Sequence, residues 1–544
     1  MGSSDDSPAK RKRADEDPPS SSRLPKRRVA VLVGYYGRGY QGSQINPHTT
    51  TIEGTLFRAF VHAGCITQDN ASHPTKVGLQ RAARTDANVS ACCNLISLKL
   101  ILNPPGIEQQ PGELDPLHKA LIEQHSQTSH YPLIRHINRF LPAELRVWEI
   151  LRVQNSFNPR SLCDSRVYEY SLPTWLFLPP KPGSPLHQRF SQNHAQGIGQ
   201  EDPEAAWWDV HSDLLEKDFK AIQAERRGSY RISHTMIARI QAVLDQYKGT
   251  HNFHNLTVAK AFTERNAVRI MKHFSVSEPF LVAASDPNDH PTEWISITFH
   301  GQSFMLHQIR KMIGLLVLVC RTRTPVTIIN KLYGPKKVSI PKAPGIGLIL
   351  RKLHFDGYNK KIHHINQQTL NRQQKRRKGP AQKGGNSQED DQLMVWDSID
   401  CSRFDALFER FKRETLFHRI FLNQPSQPSN EPQNSKPAQP ISADDEKVGP
   451  VEVVDPKKVE EELAGSKDPN PAPTRGPAKR PKHGQAPDDE DDEDDEAHAD
   501  EETDFLPAEN QEGEDPFGVW MNYMDVYTGA DLDFLDPKWG LPDQ

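Results

Sequence analysis

Between Val29 and Phe355 the sequence alternates short runs of period-two apolar residues with stretches of helical spacing. That alternation restricts this part of the chain to a mixed α/β body. Val29–Val33 reads as an apolar strand running into a Gly/Tyr-rich turn. A helix follows over Thr51–Ala63, with Ile52, Leu56, Phe60 and Val61 on one face, Thr50 and Glu53 as a capping box and Gly64 as its stop. Asn94–Leu102 sets Leu98, Leu100 and Leu102 against Ser97, Lys99 and Ile101, as a half-buried strand does. A second unit begins near Asn158. It comprises a strand at Arg166–Leu172, a helix at Ser233–Tyr247, a strand at Trp294–Phe299, a helix around Phe304–Val319 and a last strand at Leu348–Phe355. Leu178–Ala206, rich in Pro, Gly and Gln, reads as an inserted surface loop.

The flanks are of another kind. A mean hydropathy of −0.70, 44 prolines and 35% hydrophobic residues mean that much of the 544-residue chain never enters a core. Residues 1–27 read as a disordered basic tail. Its clusters Lys10–Arg13 and Lys26–Arg28, set apart by a flexible spacer, resemble a bipartite nuclear import signal, so the nucleus is the expected location. The body then divides at residues 28–157 and 158–358. A basic linker and helix follow over 359–422, with Ser402 as cap and Phe404, Leu407, Phe408 and Phe411 on one face of Arg403–Phe417. Residues 423–504 read as disordered and acidic or Pro-rich, and 505–544 as a short docking segment without an identified partner.

Charge narrows the partners. The formal net charge is −4, but Asp488–Asp504 holds thirteen carboxylates and no Lys or Arg, and setting them aside turns −4 into +9. The remainder suits a polyanion. Six cysteines without a regular framework or a C-x-x-C pair fit a reducing compartment. The longest apolar run, Met312–Cys320, is far short of the roughly 20 residues that span a bilayer, so no membrane segment and no secretory signal are expected.

Four motifs carry the chemistry. Gly34–Gln44 holds glycines and tyrosines, and Ala82–Ala91 places one carboxylate, Asp86, among small residues. Ser165–Tyr170 contains Arg166-Val167-Tyr168, and Gly301–Met312 contains Phe304, His307 and Arg310 at Phe-x-x-His-x-x-Arg spacing. In this order they resemble the TruA-type tRNA pseudouridine synthases. Tyr247–Asn255 and Val338–Leu348 are similar to the eukaryotic, fungal branch of that family, and the likeness runs from about Arg28 to Tyr358.

The resemblance implies two ferredoxin-like α/β halves whose mostly antiparallel sheets join around a basic central cleft, with a C-terminal helical extension and disordered tails outside. Asp86 would stand at the cleft floor as the catalytic carboxylate. Arg310 would pair with it, since a buried carboxylate without a cation tends to take a proton. Tyr168 would stack on the target base and relay a proton. Arg84, Arg38, Gln44, Phe304 and His307 are the expected substrate contacts. Breaking N–C1′ and rejoining the base through C5 needs no redox step and no added group, so no cofactor is demanded, and attack on C1′ stays open beside other ribose-centred or base-centred routes. His251 and His254 form an H-x-x-H pair, but with no cysteine at ligand spacing a structural zinc there is the lesser reading. The implied partners are tRNA, modified at the anticodon stem or nearby, with spliceosomal small nuclear RNA and messenger RNA as further substrates of a monomer. The alternative class, a non-catalytic RNA-binding or folding chaperone, would be favoured by loss of Asp86, Tyr168 or Arg310. All three are present.

Overall fold

The computed structural model describes residues 24–46, 48–105, 107, 130–196, 206–216, 228–283, 290–378, 395–421, 515–526 and 530–536. The Lys10–Arg13 cluster, the 423–504 region and its acidic run lie outside the described residues. No helix among those described is long and apolar enough to cross a membrane.

The first half runs β1 (Lys26–Tyr35), α1 (Ile52–His62), β2 (Gln80–Arg81), β3 (Ser90–Ile101), α2 (Tyr131–Asn138) and β4 (Leu145–Arg152). In the second half β5 (Ser165–Pro173) is followed by α3 (Pro185–Ala195), α4 (His234–Asp245), β6 (Gly249–Asn252) and β7 (Val268–Val276). Then come β8 (Phe280–Val282), β9 (Thr292–Gly301), α5 (Gln308–Arg321), β10 (Leu348–His354) and, beyond the sheet, α6 (Asp356–Lys378). Spatial order is β4-β1-β3-β2 in the first half and β10-β5-β9-β7 in the second, with β6 beyond β7 and β8 on β9. Both are the fourth-first-third-second order of a ferredoxin-like β-α-β-β-α-β unit. The halves meet at a short parallel seam where Ile349 and Leu350 of β10 face Ser90 and Ala91 of β3. The other strand pairs are antiparallel.

Local caps explain the helix starts and correct three expectations. Thr51, not Thr50, caps α1 by accepting from the Gly54 amide, and Glu53 is taken instead by the Ile45 amide and by Arg81 at 2.5 Å. Ser402 does not cap. Asp400 accepts from the Ser402 amide, and the segment passes through a 3₁₀ turn into α7 (Asp405–Phe411) and then a π-helical turn over Lys412–Phe417. Leu178–Ala206 is not all loop, because Ser184 caps α3 and Leu186 and Phe190 are buried.

The basic cluster at Lys26–Arg28 is not tail either, since β1 starts at Lys26. Arg28 is buried, donating to Gly78 O at 2.5 Å and Gln80 Oε1 at 2.6 Å.

Strand β3, read as half-buried, is covered on both faces, with only Lys99 exposed. The cover is residues 395–421. Trp148 of β4 meets Phe411 edge-on at 5.1 Å, Cys93 Sγ of β3 lies 3.3 Å from Cys401 Sγ, and Lys412 reaches Glu169 of β5 at 3.0 Å. Helix α5 is buried along its whole length, and at Gly314 an added Cβ would stand 1.9 Å from the Pro341 carbonyl. Only glycine lets the segment at Pro341 cross the helix here.

The docking segment binds its own chain. Helix α8 (Pro516–Val526) lies against α3, Phe517 meets Trp294 at 5.6 Å, and Asp525 pairs with the buried Arg321 at 2.5 Å.

Candidate active site

The loop from Ala82 to Val89 leads into β3 at the seam, so its shape is set by both halves. Thr85 is fixed by three contacts: its amide donates to Ser43 Oγ at 2.8 Å, its carbonyl accepts from the Ser43 amide at 2.9 Å, and its hydroxyl shares a proton with Tyr35 OH at 2.8 Å. Asp86 then opens a turn whose Val89 amide returns to its carbonyl at 3.2 Å, with Asn88 at φ +64°. Two glycines let other segments close round this turn. A Cβ on Gly37 would stand 2.1 Å from Val89 O, and one on Gly345 would stand 2.8 Å from Ala87 O. Arg38, Asn88 and Pro344–Ile346 line one small pocket there, with Pro516 at its edge.

Helix α5 brings the cation. Arg310 Nη1 lies 3.9 Å from Asp86 Oδ2, and its Nε donates to Ala343 O at 2.7 Å while the Ala343 amide returns to Arg310 O at 3.0 Å. The guanidinium is thus set beside the carboxylate and braced by the segment that crosses α5 at Gly314. Arg310 is almost wholly buried, whereas Asp86 keeps 21% of its side chain exposed, which leaves an approach for a substrate.

His307 sits just before α5 at φ +56°, its Nε2 3.6 Å from Asp86 Oδ2. Burial, with the charges of Arg310, Lys342 and Lys311, pushes its pKa down to about 2, so the imidazole is neutral and is no ion-pair partner for Asp86.

Tyr168 comes from β5 and meets Phe304 edge-on at 5.2 Å. Burial raises its hydroxyl well above the ordinary range, with Tyr35 and Asp86 adding to the rise and Arg166 opposing it. At neutral pH it is therefore a protonated phenol able to donate.

The sequence-derived residues separate into two sets. Asp86, Arg310 and His307 converge, with Tyr168 close enough for its hydroxyl to feel Asp86 and Phe304 against its ring. Arg38 lines the adjoining pocket and Arg84 is exposed on the loop. Gln44 instead accepts from Arg81 at 3.5 Å, beside the Arg81–Glu53 pair. His251 lies flat on Tyr333 at 4.2 Å, while His254 is buried against the edge of Phe262.

Arg166 is the residue whose role the motif reading did not supply. Its guanidinium donates to Gln302 O at 2.7 Å, Ala82 O at 3.1 Å, Arg160 O at 3.2 Å and Cys163 O at 3.4 Å. Ala82 belongs to the loop of Asp86, and the other three to the second half. The available signal was spacing, since residues two apart on a strand share a face and Arg166 stands two before Tyr168.

The family described as tRNA pseudouridine synthase matches residues 243–356. The chain is 41% identical over 379 residues to the tRNA pseudouridine synthase 1 of Saccharomyces cerevisiae, covering 63% of this chain and 64% of that protein. It is 36% identical over 446 residues to the Kluyveromyces lactis protein of the same name, covering 76% and 70%. With the Schizosaccharomyces pombe one it shares 33% over 493 residues, covering 74% and 81%. The chain thus spans a little under two thirds of the length of the first of these.

Proposed function

Because this chain belongs to the TruA-type tRNA pseudouridine synthase family, in its eukaryotic branch, we propose that it isomerises uridine to pseudouridine in tRNA. The observation that carries the reading is the meeting of Asp86 and Arg310 at the seam of the two halves, with 3.9 Å between them. Arg310 sets a buried positive charge beside the carboxylate. Asp86 serves as nucleophile or base against the ribose–uracil unit, whose N–C1′ bond breaks before the freed uracil turns and rejoins through C5. Tyr168 and Phe304 give the uracil an aromatic wall, and the Tyr168 hydroxyl holds a proton to donate. A uridine inside a stem must be extruded to reach them, at a few kcal/mol, which such a wall helps offset.

The finer reading extends the substrate to anticodon-stem uridines and to small nuclear and messenger RNA. Nuclear import is proposed to rest on Lys10–Arg13, because Arg28 of the second cluster is held inside the body. A monomer fits the way residues 395–421 and α8 cover Trp148 and Trp294 from within the same chain.

Asp86→Asn tests the core of this. The amide keeps the shape but cannot act as a carboxylate, so tRNA affinity should hold while pseudouridine formation falls at least about a thousandfold. Turnover within tenfold of the parent, measured as the pseudouridine content of nuclease-digested tRNA, would remove Asp86 from the chemistry.

A further inference from the structure

Arg38, at the rim of the candidate site, begins a run of cations and rings that passes the buried Tyr36 and Tyr40 and comes out on the surface of the first half at Arg58. The Tyr36 hydroxyl lies within the field of both Arg38 and Arg419, and the Arg419 guanidinium stands 5.4 Å from the Tyr36 ring centroid. Tyr40 in turn lies near Arg419 and Arg58. From there the run continues on α1, where Arg58 and His62 are exposed one turn apart. His62 stacks on Phe140 with ring centroids 6.0 Å apart, and His136 meets the same ring edge-on at 5.3 Å. Phe140 is 44% exposed, and Arg139 beside it is exposed as well. Glu144, 3.9 Å from Arg419, is a carboxylate within the run.

A single exposed Phe needs no explanation. One braced by two imidazoles, at the far end of a line of arginines that starts beside the catalytic loop, has the combination that unpaired RNA uses: cations along the backbone and a ring face for a base. The extension takes part too, since Arg419 belongs to residues 395–421 and stands between the Gly/Tyr-rich turn and Glu144.

We propose that this track holds the substrate RNA beyond the target nucleotide, with Arg419, Arg58 and Arg139 on phosphates and a base stacked on the Phe140–His62 pair. The proposal rests on the pseudouridine synthase reading and adds to it a surface outside the site of reaction.

The test compares the full chain with Arg139→Ala/Phe140→Ala, Arg58→Ala and Phe140→Trp, each checked by thermal melting. The probes are a transcribed tRNA and a short hairpin confined to the target loop. The double variant should bind tRNA on the order of tenfold more weakly, with the hairpin unaffected, and Phe140→Trp should bind like the parent. Arg58→Ala should flatten the salt dependence by about 0.7–0.9 in log–log slope, the value of one phosphate contact. The rate at saturating tRNA should not change. Double-variant affinity within twofold of the parent at an unchanged salt slope would overturn the track, as would a loss of rate without a loss of affinity. A parent protein that showed these dependences yet formed no pseudouridine would overturn the catalytic reading and leave the track standing.

Discussion

Replacing Glu149 by Gln should give a protein whose advantage in stability over the parent grows as pH rises. Glu149 is 2% exposed on β4, opposite Leu32. Burial pushes its pKa up from 4.5 to about 7, against the pull of Arg403 and the Ile150 amide and with a smaller push from Asp397. Below pH 4.5 folded and unfolded chains both hold the proton, and the stabilising contribution of the neutral carboxyl is fully present. Between pH 4.5 and 7 the unfolded chain releases it while the folded chain keeps it, so stability falls at 1.36 kcal/mol per unit. Over the whole window the loss approaches about 3 kcal/mol. Gln is neutral throughout and escapes it. Urea unfolding at pH 5, 6.5 and 8 should show the two proteins close at pH 5 and the Gln variant ahead by up to about 3 kcal/mol at pH 8. A difference that did not grow with pH would refute the reasoning.

Two further outcomes follow from buried cations. Asp525→Ala strands Arg321, which is wholly buried, and should cost about 3–5 kcal/mol and expose α8 to proteases; Arg321→Met with Asp525→Leu should recover most of that loss in the same proteolysis and melting assays. Arg166→Met releases carbonyls of both halves, so it should cost about 3 kcal/mol or more and lower the single-turnover rate further than the tRNA affinity, with Arg166→Lys recovering little because an ammonium cannot span the same fork.

The carboxylate, the cation and the strands that carry them were legible because each stands in a local pattern: Asp86 in a run of small residues, Arg310 one helical turn beyond His307, Tyr168 on an alternating strand. What escaped depends on the other side of a contact. Thr50 and Thr51 are equivalent as letters, and the choice falls to Thr51 because Arg81, 28 residues downstream of Glu53, removes that carboxylate from the cap. The alternation of Leu98, Leu100 and Leu102 reports one buried face and is silent on a second, which is covered by residues some 300 positions later, as Cys93 is by Cys401.

The C-terminal segment owes its place to contacts that no local pattern carries. Phe517, Trp520 and Met524 announce an apolar face, but the same letters would serve a separate partner or the chain's own body. The deciding features are a carboxylate at Asp525 that meets a cation 204 residues earlier, and a helix, α3, inside a stretch whose prolines and glycines signal a loop. Neither half of that interface can bury its apolar face alone. A buried guanidinium is tolerated where a partner neutralises it, so Arg321 and Asp525 fix which surface the segment takes as well as holding it there. The segment thereby sets Pro516 at the edge of the pocket lined by Arg38 and Gly345, and a tail that reads as an appendage becomes part of the wall beside the catalytic loop.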